Sequence, residues 1–229
     1  MSILKISPTR VKPTVIIATT AFIALAVLLF IPSFPHAKVC LPVGLLSIAA
    51  LWLTPWEVFF ALMFSALGDL AGDCNNFLAQ MSSFAAAHIF YILFFIRRYH
   101  RKVEPDRKLT EKAKGYLMMT TFCTLALLAL IFAAVVPEVP AGIIRIGVGI
   151  YSVVICIMLI TALLQRSMFY ALGALFFVIS DFLLAWNMFV HQIPHESVLI
   201  LSTYYLAQWL LFVRATPYRV PHPVHLLRF

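Results

Sequence analysis

Charge is what this 229-residue chain has least of: 11% of its residues are charged, nine of them acidic, against 63% hydrophobic. A water-facing surface cannot be built from that composition, which excludes a soluble domain. The four cysteines, Cys40, Cys74, Cys123 and Cys156, lie far apart, without a C-x-x-C or a histidine pair at ligand spacing. Neither a disulfide framework nor a zinc site is read from them. Glycines number eight and form no phosphate-binding loop, and no serine-hydrolase or haem motif appears. Any chemistry is therefore expected to run without a cofactor or metal. The net charge of +8 raises nucleic acid as a partner. Most of that excess lies in one short loop and two tails, which is the pattern of membrane topology and not of a nucleic-acid-binding face.

What the chain has in plenty is apolar runs. A membrane crossing needs roughly 20 such residues, and cutting at charge and proline clusters leaves eight, near 14–31, 38–54, 56–72, 76–96, 116–136, 140–163, 167–190 and 197–214. The expected fold is all-α, a single polytopic domain over 1–229 with about eight transmembrane helices. The first run follows basic residues as a signal peptide would, but it lacks a small-x-small cleavage site and is expected to be retained. The break between the second and third runs rests on Thr54-Pro55 beside Trp56. Of the seventeen Lys and Arg residues, an even helix count puts fifteen on one side: Lys5, Arg10 and Lys12, eight in the 97–114 loop, and Arg166, Arg214, Arg219 and Arg228. That side is cytoplasmic, with both termini. Lys38 and Arg145 remain opposite.

Ionisable groups inside hydrocarbon cost at least a few kcal/mol unless paired or hydrated, so each is a candidate for function. They are Asp69 and Asp73 in the third run, His88 in the fourth, Arg145 near the start of the sixth and Asp181 in the seventh. Asp181, between FFVIS and FLLAW, has no way to reach water by snorkelling. Asp73, beside Cys74 and Asn75, reads as part of a polar turn. Tyr204 and Gln208, four apart, share one helix face and serve either a site or interhelical hydrogen bonding. Counted from the outer ends at about 1.5 Å per residue, Asp69, Tyr204, Asp181, Gln208 and His88 all fall in the outer half, at depths suited to one pocket. Arg145 either neutralises a buried carboxylate or, with Lys38, seats a lipid phosphate. The stretches FSALGD and FFVISD, each ending in one of the two aspartates, faintly echo one another.

FSALGD (Phe64 to Asp69), HIFY (His88 to Tyr91), ALFFVISDFLLAWNMF (Ala174 to Phe189) and STYYLAQ (Ser202 to Gln208), with Lys38 and Pro42, stand in an order and spacing that resembles the YhhN-like family of membrane lysoplasmalogenases. The resemblance implies an eight-helix fold that hydrolyses the vinyl ether bond of lysoplasmalogens to a fatty aldehyde and a glycerophospho-alcohol. It also implies that Asp69 and Asp181 are catalytic.

Vinyl ether hydrolysis needs an acid to protonate carbon, a stabiliser for the resulting cation and a positioned water. A carboxyl in an apolar site keeps its proton near neutral pH, while a better hydrated one ionises. Asp181, the deeper of the two, is assigned as acid and Asp69 as base, although the residues alone fit the reverse nearly as well. His88 is a shuttle candidate, and Tyr204 and Gln208 are candidates to bind the glycerol oxygens. The expected partners are a lysophospholipid and membrane lipids. The host membrane is the inner membrane of a bacterium or the endoplasmic reticulum of a eukaryote. A proton-coupled transporter or a non-catalytic lipid-binding protein would also use buried carboxylates.

Overall fold

The computed structural model describes residues 13–31, 38–102 and 111–216. Both termini, Lys5, Arg10, Lys12, Arg219, Arg228 and the middle of the basic loop lie outside the described residues. Among the described residues there is no strand. Eight helices follow in order: α1 (Pro13–Leu28), α2 (Cys40–Leu53), α3 (Trp56–Asp73), α4 (Phe77–Lys102), α5 (Glu111–Ala134), α6 (Ile143–Leu163), α7 (Met168–Phe189) and α8 (Glu196–Ala215). A 3-10 turn, Val136–Glu138, follows α5.

The elements end where local chemistry ends them. Proline lacks an N–H and disfavours helix in the residue before it; Thr54 is accordingly extended (φ −127°, ψ 166°). Its N–H and hydroxyl both donate to the Ala50 carbonyl at 3.0 Å, closing α2 before Pro55 opens α3. Between α3 and α4, Asn75 takes the left-handed conformation (φ 56°) that asparagine tolerates. The Asn76 side chain then accepts the Ala79 N–H at 3.1 Å as an N-cap. Between α7 and α8, Asn187 accepts the Ile193 N–H at 2.8 Å and donates to Glu196.

By length and composition, α4 to α8 are each able to cross a membrane, while α1 and α2 are shorter apolar helices. α3 has 18 residues but carries Glu57, Asp69 and Asp73. Large apolar side chains such as Ile17, Ile48, Phe122, Ile146 and Met168 point outward. Inside the bundle small residues, Ala50, Ala61, Ala87, Ala162, Ala174 and Ala207, are fully buried beside large ones such as Tyr91, Phe95, Tyr170 and Phe177. The small residues are the expected pattern where lipid supplies no hydrophobic drive between helices and close backbone approach must hold them. Gly173 illustrates it: a Cβ there would come within 2.9 Å of Leu211 and 3.3 Å of the Ala207 carbonyl. α4 packs between α3 on one side and α6 on the other; α8 packs along α7 and touches α1, α2 and α3. At the end that carries the basic loop, Arg97 pairs with the buried Glu57 at 2.7 Å. Arg98 donates to Gln165 at 2.6 Å, and Gln165 donates on to the Phe95 carbonyl.

Candidate active site

Asp181 sits on α7 where that helix meets α4 and α6. Its Oδ2 accepts the Tyr151 hydroxyl from α6 and lies 3.6 Å from His88 Nε2 on α4. His88 is fully buried. Its Nδ1 is 2.7 Å from the Phe84 carbonyl, which can only accept, so Nδ1 carries the proton and Nε2 faces Asp181. The imidazole is wedged by the Phe177 ring at 4.6 Å and the Tyr151 ring at 5.4 Å. With Oδ2 engaged, Oδ1 is the oxygen left to meet a ligand.

That ligand has a place. A cavity lies between α4, α5, α6 and α7, with about 650 Å³ of empty space when counted out into its open mouth. Its walls include Phe84, Ile131, Val135, Val148, Ile155, Val178 and Phe182, with Gln80, Tyr151 and Ser152 as polar members and Asp181 as the one carboxylate. A mostly apolar cavity with a single acid on its wall suits an aliphatic chain that presents one reactive bond.

Asp69 is elsewhere. It sits on α3, 5% exposed, and accepts the Tyr204 hydroxyl of α8 at 2.9 Å. The outer-half depths expected one pocket for both aspartates, yet Asp69 does not line the cavity. Rise along a helix fixes depth but not direction: α3 and α8 lie on one side of α4, α6 on the other, and aromatic rings fill the space between. Phe84, a cavity wall, stands edge-on to Tyr204 at 5.7 Å, and Phe177 touches both Tyr204 at 5.5 Å and His88. Gly68 leaves room for the Phe84 ring, since a Cβ would lie 3.0 Å from it.

The other sequence candidates divide between the two sides. Gln208, fully buried one turn from Tyr204, accepts the Tyr91 hydroxyl at 2.9 Å. Lys38 is exposed just before α2, next to Val39, whose carbonyl takes the Tyr205 hydroxyl at 2.8 Å. Arg145 stands one turn before the cavity-lining Val148 on α6. Its Nε and Nη2 donate to the carbonyls of Val139 and Pro137 at 2.7 and 3.0 Å. Among the described residues it pairs with no carboxylate. Asp73 ends α3 in the polar turn. Sequence reasoning missed Tyr151, because a lone tyrosine in an apolar helix looks like packing. It also missed Glu57, because an acid beside Trp56 at a helix start looks interfacial. Among the described residues, no group of three His, Cys, Asp or Glu side chains is placed to hold a metal.

The YhhN family model matches residues 12–215. Lysoplasmalogenase TMEM86B of Mus musculus is 30% identical over 186 residues, covering 77% of this chain and 70% of that protein. Lysoplasmalogenase TMEM86A of Homo sapiens is 29% identical over 220 residues, covering 84% and 85%. Lysoplasmalogenase TMEM86B of Sus scrofa is 31% identical over 152 residues, and there the chain spans 59% of the relative's length. No solved structure matches. The described helices, the apolar composition and a match that runs across nearly the whole chain together place this protein in the YhhN family.

Proposed function

We propose that the protein is an eight-span membrane hydrolase, with both termini cytoplasmic, that cleaves the vinyl ether bond of lysoplasmalogens. The observation that carries this reading is the apolar cavity with Asp181 as its one carboxylate, held by Tyr151 and facing His88. The names of the relatives agree with it.

A lysoplasmalogen has one alkenyl tail, which the cavity takes, and one phosphate, which stays near Arg145 at the outer end. Asp181 gives its Oδ1 proton to the β-carbon of the vinyl ether, and the double bond's electron pair forms the new C–H bond. The oxocarbenium cation so formed sits against the face of the Phe84 ring, which attracts positive charge. Water adds to the carbon attached to oxygen and passes a proton to Asp69 as the Phe84 ring between them turns aside, giving a hemiacetal. As the hemiacetal collapses, its hydroxyl proton returns to Asp181, the bond to the glycerol oxygen breaks, and that oxygen takes the proton held by Asp69. Both aspartates end as they began. Tyr151 and His88 keep Asp181 turned toward the cavity, and Tyr204 does the same for Asp69.

The test is release of fatty aldehyde from a defined lysoplasmenylethanolamine by the purified full-length protein. Aldehyde and glycerophosphoethanolamine in equal amounts are expected; no release by folded protein contradicts the assignment and leaves a carrier or lipid-binding role. Topology is read separately by labelling introduced cysteines in intact cells. Modification of the 97–114 loop from outside would overturn the orientation.

A further inference from the structure

Four buried polar side chains on the Asp69 side line up in two levels. α3 and α4 run antiparallel, as Gly68 against Phe84 and Glu57 against Arg97 show. α4 and α7 do so too, with His88 against Asp181 and Phe95 against Tyr170. α7 and α8 follow suit, with Ser180 bonded to Ile200 and Tyr170 to Arg214. α3 and α8 are therefore antiparallel. The Asp69–Tyr204 bond fixes their register, so the residue one turn back on α3, Ser65, is level with the residue one turn on along α8, Gln208. Both lie on the faces that carry Asp69 and Tyr204.

Each has an unanswered polar atom. Ser65 and Gln208 are both fully buried, and neither Ser65 Oγ nor Gln208 Nε2 makes a hydrogen bond of good geometry. The Gln208 Oε1 is held by Tyr91, and the Gln208 amide lies close enough to the Tyr204 hydroxyl to interact with it, so Ser65 carries the clearer unmet bond. A buried hydroxyl in a helix usually bonds back to the carbonyl four residues earlier, as Ser152 and Thr124 do here. Ser65 does not. Buried polar groups are almost always satisfied, by protein or by ordered water, and an internal water typically makes about three hydrogen bonds.

We propose that Ser65 and Gln208 hold a buried water one turn beneath Asp69, and that this is the water added to the substrate. The inference rests on the hydrolase reading above. It assigns Ser65 as a positioning residue: its hydroxyl and the Gln208 amide fix the water's lone pairs and leave an O–H directed toward the Asp69 carboxylate. It also explains why the base stands apart from the cavity. The water is held behind the Phe84 ring, away from the acid, and meets the cation only when that ring turns aside.

The test compares Ser65→Ala and Ser65→Thr with wild-type full-length protein, reading kcat, KM and thermal unfolding. Ser65→Ala is expected to lower kcat at least about 10-fold with KM unchanged, and to lower Tm by roughly 2–4 °C, because the bridging water and its bonds are lost. Ser65→Thr, which keeps the hydroxyl, should retain most of kcat. Wild-type kcat in Ser65→Ala, or a raised KM with kcat intact, overturns the proposal. So does a Tm that holds or rises, the result expected when only an unpaired hydroxyl is removed. If wild-type protein releases no aldehyde, the hydrolase reading fails on its own, and the Tm comparison still decides whether Ser65 holds a water.

Discussion

Asp181 and Asp69 lie on opposite sides of α4 and are housed differently. Asp181 stands on the wall of an open-mouthed cavity, its side chain 13% exposed, with a phenol and an imidazole at its back. Asp69 is enclosed, bonded to Tyr204, and surrounded by buried groups with spare hydrogen-bonding capacity at Ser65 and Gln208. A group that protonates carbon must touch the substrate and keep water away from it. A group that activates water must be polar-lined and hold that water in place. The Phe84 and Phe177 rings partition the two sites. In the proposed mechanism it is contact with the cavity that gives Asp181 the acid's role, since burial alone would favour proton retention at the more enclosed Asp69 at least as much.

The comparison can be broken most sharply on the enclosed side. Asp69→Asn keeps shape and hydrogen bonding but removes proton chemistry, and it is expected to lower aldehyde release at least about 10²-fold. Thermal stability should hold or rise, since a neutral amide avoids burying a charge; loss of folding would instead make Asp69 part of a structural network. On the cavity side, Tyr151→Phe removes the hydroxyl that orients Asp181. A fall of about 10-fold in kcat with little change in KM is expected, and unchanged kcat would show that His88 and packing suffice. Narrowing the cavity with Ala185→Leu should raise KM for a long alkenyl chain several-fold, roughly the effect of displacing a few buried methylenes. It should spare a short-chain substrate, and equal effects on both would place the tail elsewhere. The smallest effects are expected at the outer end. Arg145→Gln should raise KM by about threefold to tenfold with kcat retained, since a phosphate seat contributes mostly uniform binding; Lys38→Gln, on the Asp69 side of α4, should change KM less. For Arg145 the competing outcome is loosening of the Val136–Glu138 turn that it holds through backbone carbonyls, visible as lowered Tm without a KM effect.

Much of this was legible in the chain. The proline after Thr54 and the paired asparagines after Cys74 mark helix ends because their backbone preferences leave few alternatives. The two aspartates stand out because nothing in an apolar run excuses a carboxylate. Their separation was not legible. Counting residues gives depth along a helix, whereas the side of α4 on which each carboxylate falls depends on how the helices are arranged around it. Tyr151 escaped for a related reason: its importance lies in what it faces across a helix boundary, not in its type. Ser65 sat in plain view within FSALGD and gained meaning only when it proved buried and unbonded.

The central claim is that the cavity-wall carboxylate is the acid of vinyl ether cleavage, and Asp181→Asn assayed beside wild type on the same lysoplasmenylethanolamine tests it most directly. The expected result is aldehyde release reduced at least about 10²-fold in a protein that purifies as a folded monodisperse species with Tm unchanged or raised. Wild-type aldehyde release by Asp181→Asn would contradict the account.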